Sequence, residues 1–213
     1  MFLQHAHRIT FEQVTAQNWN GDGFSFQVCD DIRFNRCTAI NNAVLGFHPG
    51  SGSQRPVFQD CTSVGNREGL FFCWGVTDGL AERCVFADNR DYGITLGHRD
   101  TDNTIRDCVI ERNAKVGILC GRSDAVYEFF APHRCTIEGC VLRDNGAELT
   151  HTAIQILHHT HDTVVRGCAF EGSEAQTVGI EVGGEPQRTV LGGNTFEGMA
   201  TDVLRSGGSA AAL

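Results

Sequence analysis

The stretch from Leu80 to Cys120, LAERCVFADNRDYGITLGHRDTDNTIRDCVIERNAKVGILC, contains one pattern twice. In each copy a cysteine is followed five residues later by an asparagine, and then by a segment that begins with Gly-Ile. The corresponding residues are Cys84, Asn89 and Gly93 in the first copy and Cys108, Asn113 and Gly117 in the second. A fixed period of this length is typical of solenoid proteins, in which each repeat forms one coil.

The same repeat covers nearly the whole chain. Cysteines recur at steps of 24, 23, 24, 32 and 28 residues, at Cys37, Cys61, Cys84, Cys108, Cys140 and Cys168. Looser copies begin near Ile9, Ile32, Ile137, Val164 and Val190. Together the copies predict about eight coils of roughly 22–32 residues each.

The apolar residues of the repeat follow the period of a β-strand. They alternate with polar residues in the segments Phe24-Ser25-Phe26, Ile94-Thr95-Leu96 and Ile154-Gln155-Ile156, whereas a helix would space them by three and four. Glycine, at 25 of 213 residues, disfavours helices, and the leucine ladder of a leucine-rich repeat is missing. The predicted fold class is all-β: a single-stranded, right-handed parallel β-helix with about three short strands in each coil.

The register of the repeat predicts which side chains stack. Equivalent residues of successive parallel coils lie about 4.8 Å apart, so identical side chains form ladders. We expect the cysteines to be buried free thiols, because this spacing is too wide for a disulfide. An asparagine column is expected to mark one corner, since asparagine tolerates left-handed backbone and can bond a turn amide. A glycine column is expected at the next corner, where the chain enters a strand. The asparagines are Asn42, Asn66, Asn89, Asn113 and Asn145, and the glycines are Gly23, Gly46, Gly69, Gly93, Gly117 and Gly179.

The cysteine and asparagine columns and the Gly-Ile-x-Leu strands resemble the right-handed parallel β-helix repeat proteins of the pectate-lyase-like superfamily, over roughly residues 7 to 205. That superfamily includes polysaccharide lyases, glycoside hydrolases, epimerases, phage tailspikes and non-catalytic adhesins, so the resemblance implies a fold and not one activity. The Asn-Thr-Asp, Gly-His-Gly and Arg-x-Lys set of polygalacturonases is absent. So are the Arg-x-Pro-x-x-Arg pattern of pectate lyases and the Asp-Pro-His-Glu of mannuronan epimerases. No family's catalytic residues can therefore be transferred to this chain.

The composition and charge of the chain argue against two classes of binding partner. The formal net charge of -9 and the pI near 5.4 argue against nucleic acid, which requires a basic stripe, and no apolar run is long enough to span a membrane. The expected partner is a polysaccharide or an oligosaccharide.

Residues 1–205 are expected to form one β-helix and residues 206–213 a flexible tail. Because the repeat begins almost at residue 7, without a cap or a signal-peptide layout, we expect a fragment of a longer chain, which would be extracellular or periplasmic.

A candidate binding stripe lies in the turn after the Gly-Ile strand. Trp74, His98 and Arg122 each fall five residues after the corner glycine, and His158 joins them if Ala153 replaces that glycine. An aromatic ring can stack on a sugar face, and arginine or histidine can pair with a uronate carboxylate. The alternative is an ordinary solvated turn.

Two aspartates follow the stripe at equivalent positions of adjacent coils. Asp100 and Asp124 could serve a glycosidase, whose two carboxyl groups lie about 5 to 5.5 Å apart when it retains configuration. They could instead hold Ca²⁺ or, with Arg122, supply the base of a lyase. In the polar segment around them, His98, Arg99, Asp100 and Asp102 could supply acid, base and anion-binding groups together. Alternatively its Asp, Thr and Asn residues could simply satisfy turn amides.

The longest step in the repeat, from Cys108 to Cys140, carries an insertion at residues 123–134. It is expected to form a groove wall in which Glu128 could act as acid or base, or else a hydrophobic flap. The segment from His158 to Asp162 does not predict a metal site, because too few of its ligands share one face, and no resident metal is predicted there. His48 and His151 are expected to be surface or turn residues.

Two hypotheses follow for function. The first is a polysaccharide lyase or glycoside hydrolase with His98, Asp100, Arg122 and Asp124 as catalytic residues and Trp74, Arg99, Glu128 and His158 as substrate-binding residues. The second is a non-catalytic β-helix for glycan binding, adhesion or structure. Convergence of these side chains on one groove would favour the enzyme.

Overall fold

The computed structural model describes residues 1–121, 130–184 and 186–206. Within them the chain forms 25 short strands, β1–β25 in chain order, which pair into three parallel sheets. Each coil contributes one strand to each sheet in turn. The predicted all-β parallel β-helix of about eight coils is confirmed. No helix in these residues is long and apolar enough to cross a membrane.

Sheet 1 contains the longest strands. Its members are β1 (Phe2–Gln4), β4 (Phe24–Gln27), β7 (Leu45–Gly50), β10 (Glu68–Phe72), β13 (Tyr92–Leu96), β16 (Val116–Cys120), β19 (Thr152–Leu157), β22 (Val178–Gly183) and β25 (Thr201–Ser206). Inward side chains such as Leu70 and Phe72 alternate with outward ones such as Phe71, as the period of two predicts.

Sheets 2 and 3 are built from three-residue strands. Sheet 2 contains β2 (Thr10–Glu12), β5 (Arg33–Asn35), β8 (Val57–Gln59), β11 (Leu80–Glu82), β14 (Thr104–Arg106), β17 (Thr136–Glu138), β20 (Val164–Arg166) and β23 (Val190–Gly192). Sheet 3 contains β3 (Thr15–Gln17), β6 (Thr38–Ile40), β9 (Thr62–Val64), β12 (Val85–Ala87), β15 (Val109–Glu111), β18 (Val141–Arg143), β21 (Ala169–Glu171) and β24 (Thr195–Glu197). The turn from sheet 2 to sheet 3 has two residues in every coil, whereas the turn from sheet 1 to sheet 2 varies from five residues to seven where all of its residues are described.

Aromatic and aliphatic ladders fill the interior. Phe11, Phe34 and Phe58 stack along sheet 2 with ring centroids 4.9 and 5.3 Å apart, and Phe24 stacks on Phe47 in sheet 1 at 5.1 Å. Later coils replace phenylalanine with isoleucine and leucine, which are equally buried. Burying one such side chain contributes roughly 1.5–3 kcal/mol, so the continuous core is the main source of stability.

The cysteine column lies in the two-residue turn between sheets 2 and 3. All ten cysteines of the chain are free and buried, as predicted. The Cys61 amide donates to Cys84 Sγ at 3.4 Å, and the Cys84 amide donates to Cys108 Sγ at 3.4 Å. Elsewhere in the core, burial raises the pKa of the Cys135 thiol to about 12. Their burial and their contacts with the backbone of adjacent coils make these cysteines packing residues.

The asparagine column forms a hydrogen-bonded ladder at the corner between sheets 3 and 1. Asn89 Nδ2 donates to Asn113 Oδ1 at 2.8 Å, and Asn113 Nδ2 donates to Asn145 Oδ1 at 2.9 Å. Gln176 continues the ladder by accepting from Asn145 at 2.8 Å. The predicted corner is confirmed, but the asparagine does not itself take the left-handed conformation. That conformation belongs to the preceding residue of the coil, at Asn41, Gly65, Asp88, Arg112 and Asp144.

The glycine column has a steric cause. A Cβ atom on Gly69 would lie 2.5 Å from the carbonyl oxygen of Gly93, and one on Gly93 would lie 2.6 Å from that of Gly117. Adjacent coils therefore approach too closely for any other residue at the start of these sheet 1 strands.

Most arginines bridge neighbouring coils. Arg83 donates from Nε and Nη2 to the two carboxylate oxygens of Asp60, at 2.9 and 3.1 Å, and Arg112 pairs with Asp88 in the same way. Arg134 repeats the arrangement with Asp102. Such exposed pairs contribute little each, about 0–1 kcal/mol, but they occupy these guanidinium groups.

Candidate functional site

The turn from sheet 1 to sheet 2 brings the predicted aromatic stripe together. The pairing of Phe72 with Leu96 makes Trp74 and His98 equivalent residues of adjacent coils. Their rings lie nearly parallel, 12° apart, with centroids separated by 4.4 Å. The Phe130 ring stands edge-on to both, at 5.6 Å from Trp74 and 6.3 Å from His98. Trp74 remains 42% exposed, whereas His98 is only 5% exposed, so the indole is the surface that a ligand would meet.

Arg99 borders this aromatic cluster and differs from the arginines that bridge neighbouring coils. Its Cζ atom lies 5.9 Å from the centroid of the Trp74 ring, and the side chain is exposed. No carboxylate in the described parts of the chain forms a salt bridge with it, in contrast to Arg83, Arg112 and Arg134. An exposed guanidinium group of this kind can pair with a carboxylate or a phosphate.

A shallow depression of about 490 Å³ opens beside Trp74 and Arg99. Its lining consists of Ser51, Gly52, Trp74, Gly75, Thr77 and Arg99. Gly52 and Gly75 have φ angles of +73° and +78°, which favour glycine, and a Cβ atom on either would meet nothing within 4 Å. The absence of side chains at these two positions keeps the indole accessible.

The residues on the far side of the depression form a column along the solenoid axis. Thr77 pairs with Thr101, Thr101 with His133, and His133 with His161. The His133 and His161 rings stack with centroids 4.2 Å apart, and burial lowers the pKa of His133. This stack was not predicted from the sequence, because His133 and His161 belong to steps of unequal length.

Asp100 is placed inside the turn rather than at the groove. It has no exposed surface. Its Oδ2 accepts from the Gly97 amide at 2.8 Å, and its Oδ1 accepts from the Val76 amide of the preceding coil at 2.9 Å. Ser53 occupies the equivalent position two coils earlier and likewise accepts from the Cys29 amide, at 3.2 Å. The expectation that Asp100 offers a carboxylate to a ligand is therefore wrong, because its oxygens hold the turn closed.

The buried position of Asp100 also bears on the calcium alternative. Burial raises the pKa of this carboxyl well above its usual value, although the hydrogen bonds that it accepts from backbone amides oppose the change. A carboxyl whose oxygens already accept amide hydrogens is not oriented toward a cation. No group of three or more His, Cys, Asp or Glu residues suited to a metal ion occurs in residues 1–121, 130–184 and 186–206.

The remaining predicted site residues fall into two groups. His158 lies in the predicted column, because Val116 pairs with Thr152 and Ile118 with Ile154, which makes Gly117 and Ala153 equivalent. Its role in binding stays a prediction. Arg122, Asp124 and Glu128 lie outside the described residues, so the catalytic and binding roles assigned to them also stay predictions.

A second polar cluster on the outer face of sheet 1 was missed at the sequence level. His48 lies within β7 and is mostly shielded, not a free surface residue. Its Nδ1 lies 2.7 Å from Asp22 Oδ2 and 3.4 Å from Ser25 Oγ. The sequence signal was weak, because Asp22 and His48 are separated by 26 residues and meet diagonally across two coils.

Solved structures share this architecture. The A-module of the mannuronan C-5 epimerase AlgE4 from Azotobacter vinelandii aligns with a TM-score of 0.80 at 17% identity, over 95% of this chain and 58% of the module. An alginate lyase from Paenibacillus sp. aligns with a TM-score of 0.67 at 15% identity, over 88% of this chain and 76% of the lyase. The surface adhesin PfbA of Streptococcus pneumoniae aligns with a TM-score of 0.64 at 10% identity, over 95% and 62%. At these identities the likeness concerns the fold.

The chain spans less than two thirds of the epimerase module. Among curated proteins no sequence match was found. The protein-family model described as "right handed beta helix region" matches residues 1–170, well over half of the sequence. The three parallel sheets, the stacked ladders and this match agree, and the chain belongs to the right-handed β-helix family.

Proposed function

We propose that the protein binds an acidic polysaccharide at the depression formed by Trp74, Arg99 and their neighbours. The observation that carries the proposal is the pairing of a half-exposed indole with an arginine that has no carboxylate partner in the described residues. The indole offers a flat apolar surface to a sugar ring, and the guanidinium can form two hydrogen bonds to a uronate carboxylate. An acidic polysaccharide has both a sugar ring and a carboxylate, so it can contact both side chains.

The geometry also favours an extended ligand. The depression is open, and the column from Thr77 to His161 continues from it along the solenoid axis. Successive coils are about 4.8 Å apart, so a chain lying along this side would meet a new residue at each coil. The β-helix neighbours support a carbohydrate partner, since they include an epimerase and a lyase named for acidic polysaccharides.

Binding measurements with two matched variants test the proposal. We expect the Trp74→Ala variant to bind alginate or polygalacturonate at least about tenfold more weakly, because a stacked aromatic anchor typically contributes more than 1.4 kcal/mol. Trp19→Ala is the control, since Trp19 is also exposed but lies at another corner. Equal affinities for the wild type, Trp74→Ala and Trp19→Ala would overturn the proposed site.

The charge requirement is tested separately. Arg99→Ala is expected to weaken binding to acidic polysaccharides and to reduce its salt dependence, while a neutral glucan should bind weakly to both proteins. Arg8→Ala provides the control, because Arg8 is likewise an exposed arginine in left-handed backbone, with φ of 54° against 59° for Arg99. Preference for the neutral glucan would exclude an acidic ligand.

A further inference from the structure

Asp22 and His48 form a carboxylate–imidazole pair on the outer face of sheet 1. Asp22 precedes β4 and is fixed by the Leu45 amide, which donates to its Oδ1 at 3.1 Å. Its other oxygen lies 2.7 Å from His48 Nδ1. Burial acts to raise the Asp22 pKa, but hydrogen bonds from His48, the Leu45 amide and Ser25 outweigh it, and the pKa is lowered. An ionised carboxylate can only accept, so Nδ1 carries the hydrogen and Nε2 is the atom left for a ligand.

The imidazole is oriented along its strand. Nδ1 faces Asp22, at the beginning of the sheet 1 strands, whereas Nε2 lies 3.4 Å from the position that a Cβ atom of Gly50 would occupy. Phe71 of the next coil packs nearly parallel to the ring, with centroids 6.2 Å apart and planes 8° apart. Carboxylate and aromatic ring together fix the direction of Nε2, and Gln27 Cγ lies equally close to the Cβ position of Gly50, at 3.4 Å.

That direction leads to the glycan depression. Gly50 is the last residue of β7, and the next two residues, Ser51 and Gly52, line the depression. Three residues of extended chain span about 10 Å, so an oligosaccharide that extends from the depression onto sheet 1 would pass Nε2.

A second carboxylate pair in the same register has a hydroxyl where the first has an imidazole. Glu68 lies two coils beyond Asp22 in the same column, and its Oε2 accepts a hydrogen bond from the hydroxyl of Thr95 at 2.9 Å. Thr95 is offset from Glu68 just as His48 is offset from Asp22. At this position the hydroxyl, with Arg67 3.8 Å from the other carboxylate oxygen, takes the place of the imidazole, whereas beside Asp22 the imidazole adds a proton-accepting atom.

We propose that Asp22 and His48 are a proton-transfer dyad, in which His48 Nε2 removes a proton from an acidic glycan bound at the Trp74 depression. The proposal rests on the proposed glycan binding. Nε2 takes the proton from the ring carbon that bears the uronate carboxylate. The electron pair of that C–H bond forms a carbon–carbon double bond as the glycosidic C–O bond on the neighbouring carbon breaks. Water protonates the leaving oxygen, and Nε2 returns its proton to solvent. His48 is the catalytic residue, and Asp22 is a positioning residue.

The experiment measures binding and chemistry on the same samples. Wild-type protein is incubated with alginate and with polygalacturonate, and the new double bond is followed by ultraviolet absorbance. In uncleaved chains, mass spectrometry in heavy water follows deuterium at the same carbon, where a proton removed by Nε2 is replaced from solvent whenever it returns before the glycosidic bond breaks. Affinity is measured in parallel. His48→Gln is expected to lower both chemical readouts at least about 100-fold while affinity stays within about twofold, since general-base catalysis contributes about 10²–10⁴-fold. Asp22→Asn is expected to lower kcat with little change in KM.

His7→Gln is the matched control. His7 Nδ1 also contacts a carboxylate, Asp30 Oδ2 at 3.2 Å, but this pair lies in an exposed turn away from the sheet 1 face. Its activity should equal that of the wild type. Wild-type protein that binds the glycan without product or deuterium uptake would overturn the dyad and leave the binding site intact. Undiminished activity in His48→Gln would also overturn it. Failure of every acidic glycan to bind would reject the proposed function instead, and retained affinity in His48→Gln shows that the variant is folded.

Discussion

The indole of Trp74 and the imidazole of His98 are stacked at 4.4 Å across two adjacent coils, so the ligand-facing ring of the candidate site is supported from behind by a nearly buried histidine. Replacing His98 with alanine removes that support. We expect His98→Ala to weaken polysaccharide binding by about three- to tenfold, since a stacked aromatic pair contributes about 0.5–1.5 kcal/mol. His98→Phe should retain most of the affinity, because it keeps a ring against the indole. Equal loss in both variants would show that the imidazole acts through a polar contact.

The asparagine ladder predicts a large stability effect. Asn89 is 1% exposed and hydrogen-bonds both to Asn113 and to the backbone of the coil before it. Asn89→Ala is expected to lower the free energy of unfolding by about 2–4 kcal/mol, because buried partners lose their hydrogen bonds. Guanidinium titration measures this change. Asn20→Ala is the control, since Asn20 is exposed, and its effect should stay within about 0.5 kcal/mol.

The buried carboxyl of Asp100 predicts a pH dependence of stability. Its folded pKa is raised above the usual 3.8 by burial, so folding holds the proton more tightly than the unfolded chain does. The contribution is then fully present below the usual pKa and declines as the pH rises toward the folded pKa. Compared with wild type, Asp100→Asn should therefore gain relative stability as the pH rises above about 4, measured by denaturant unfolding at several pH values.

Asp102 supplies the opposite control for that experiment. A hydrogen bond from Arg134 lowers the pKa of its carboxyl, so its contribution is present above the usual value and lost as the pH falls through the lowered one. Asp102→Asn should therefore differ most from wild type at neutral pH. If Asp100→Asn showed the same trend as Asp102→Asn, the Asp100 carboxyl would be stabilised as an anion by its amide donors.

The burial of the free thiols leads to a prediction about their labelling by a thiol reagent. All ten cysteines are free and buried, and burial holds Cys135 in its protonated form. A thiol reagent at neutral pH should modify the native protein very slowly and should modify all ten cysteines after denaturation, without prior reduction. Rapid labelling of the native protein would contradict the packing of the cysteine column.

The fold could be predicted because residues at the same position of successive repeats lie in one column of the solenoid. Equivalent positions counted from the corner glycine placed Trp74 beside His98, and the strand register confirms that placement. The same counting failed for Asp100, since a turn does not preserve the in-and-out alternation of a strand. Its side chain folds back onto Gly97 three residues earlier.

The Asp22–His48 pair could not be found by column counting, because it is diagonal. Asp22 is equivalent to Leu45, and His48 lies three residues further along that coil. The usable signal was the recurrence of an acidic residue at Glu68, in the same column as Asp22, with a polar residue offset by the same amount. Such a comparison requires the register of sheet 1, which the structure supplies.

One turn of the coil has a constant length and maintains the register, whereas another varies in length. The two-residue turn between sheets 2 and 3 is constant in every coil and holds the cysteine column, so an inserted residue there would shift each following side chain to the opposite face. The turn between sheets 1 and 2 already varies from five residues to seven where all of its residues are described, and it carries Trp74, Arg99 and the depression. In evolution or in engineering, the ligand specificity that we propose for this turn can therefore change by lengthening or replacing one loop at a time, while the stack of coils beneath keeps its register.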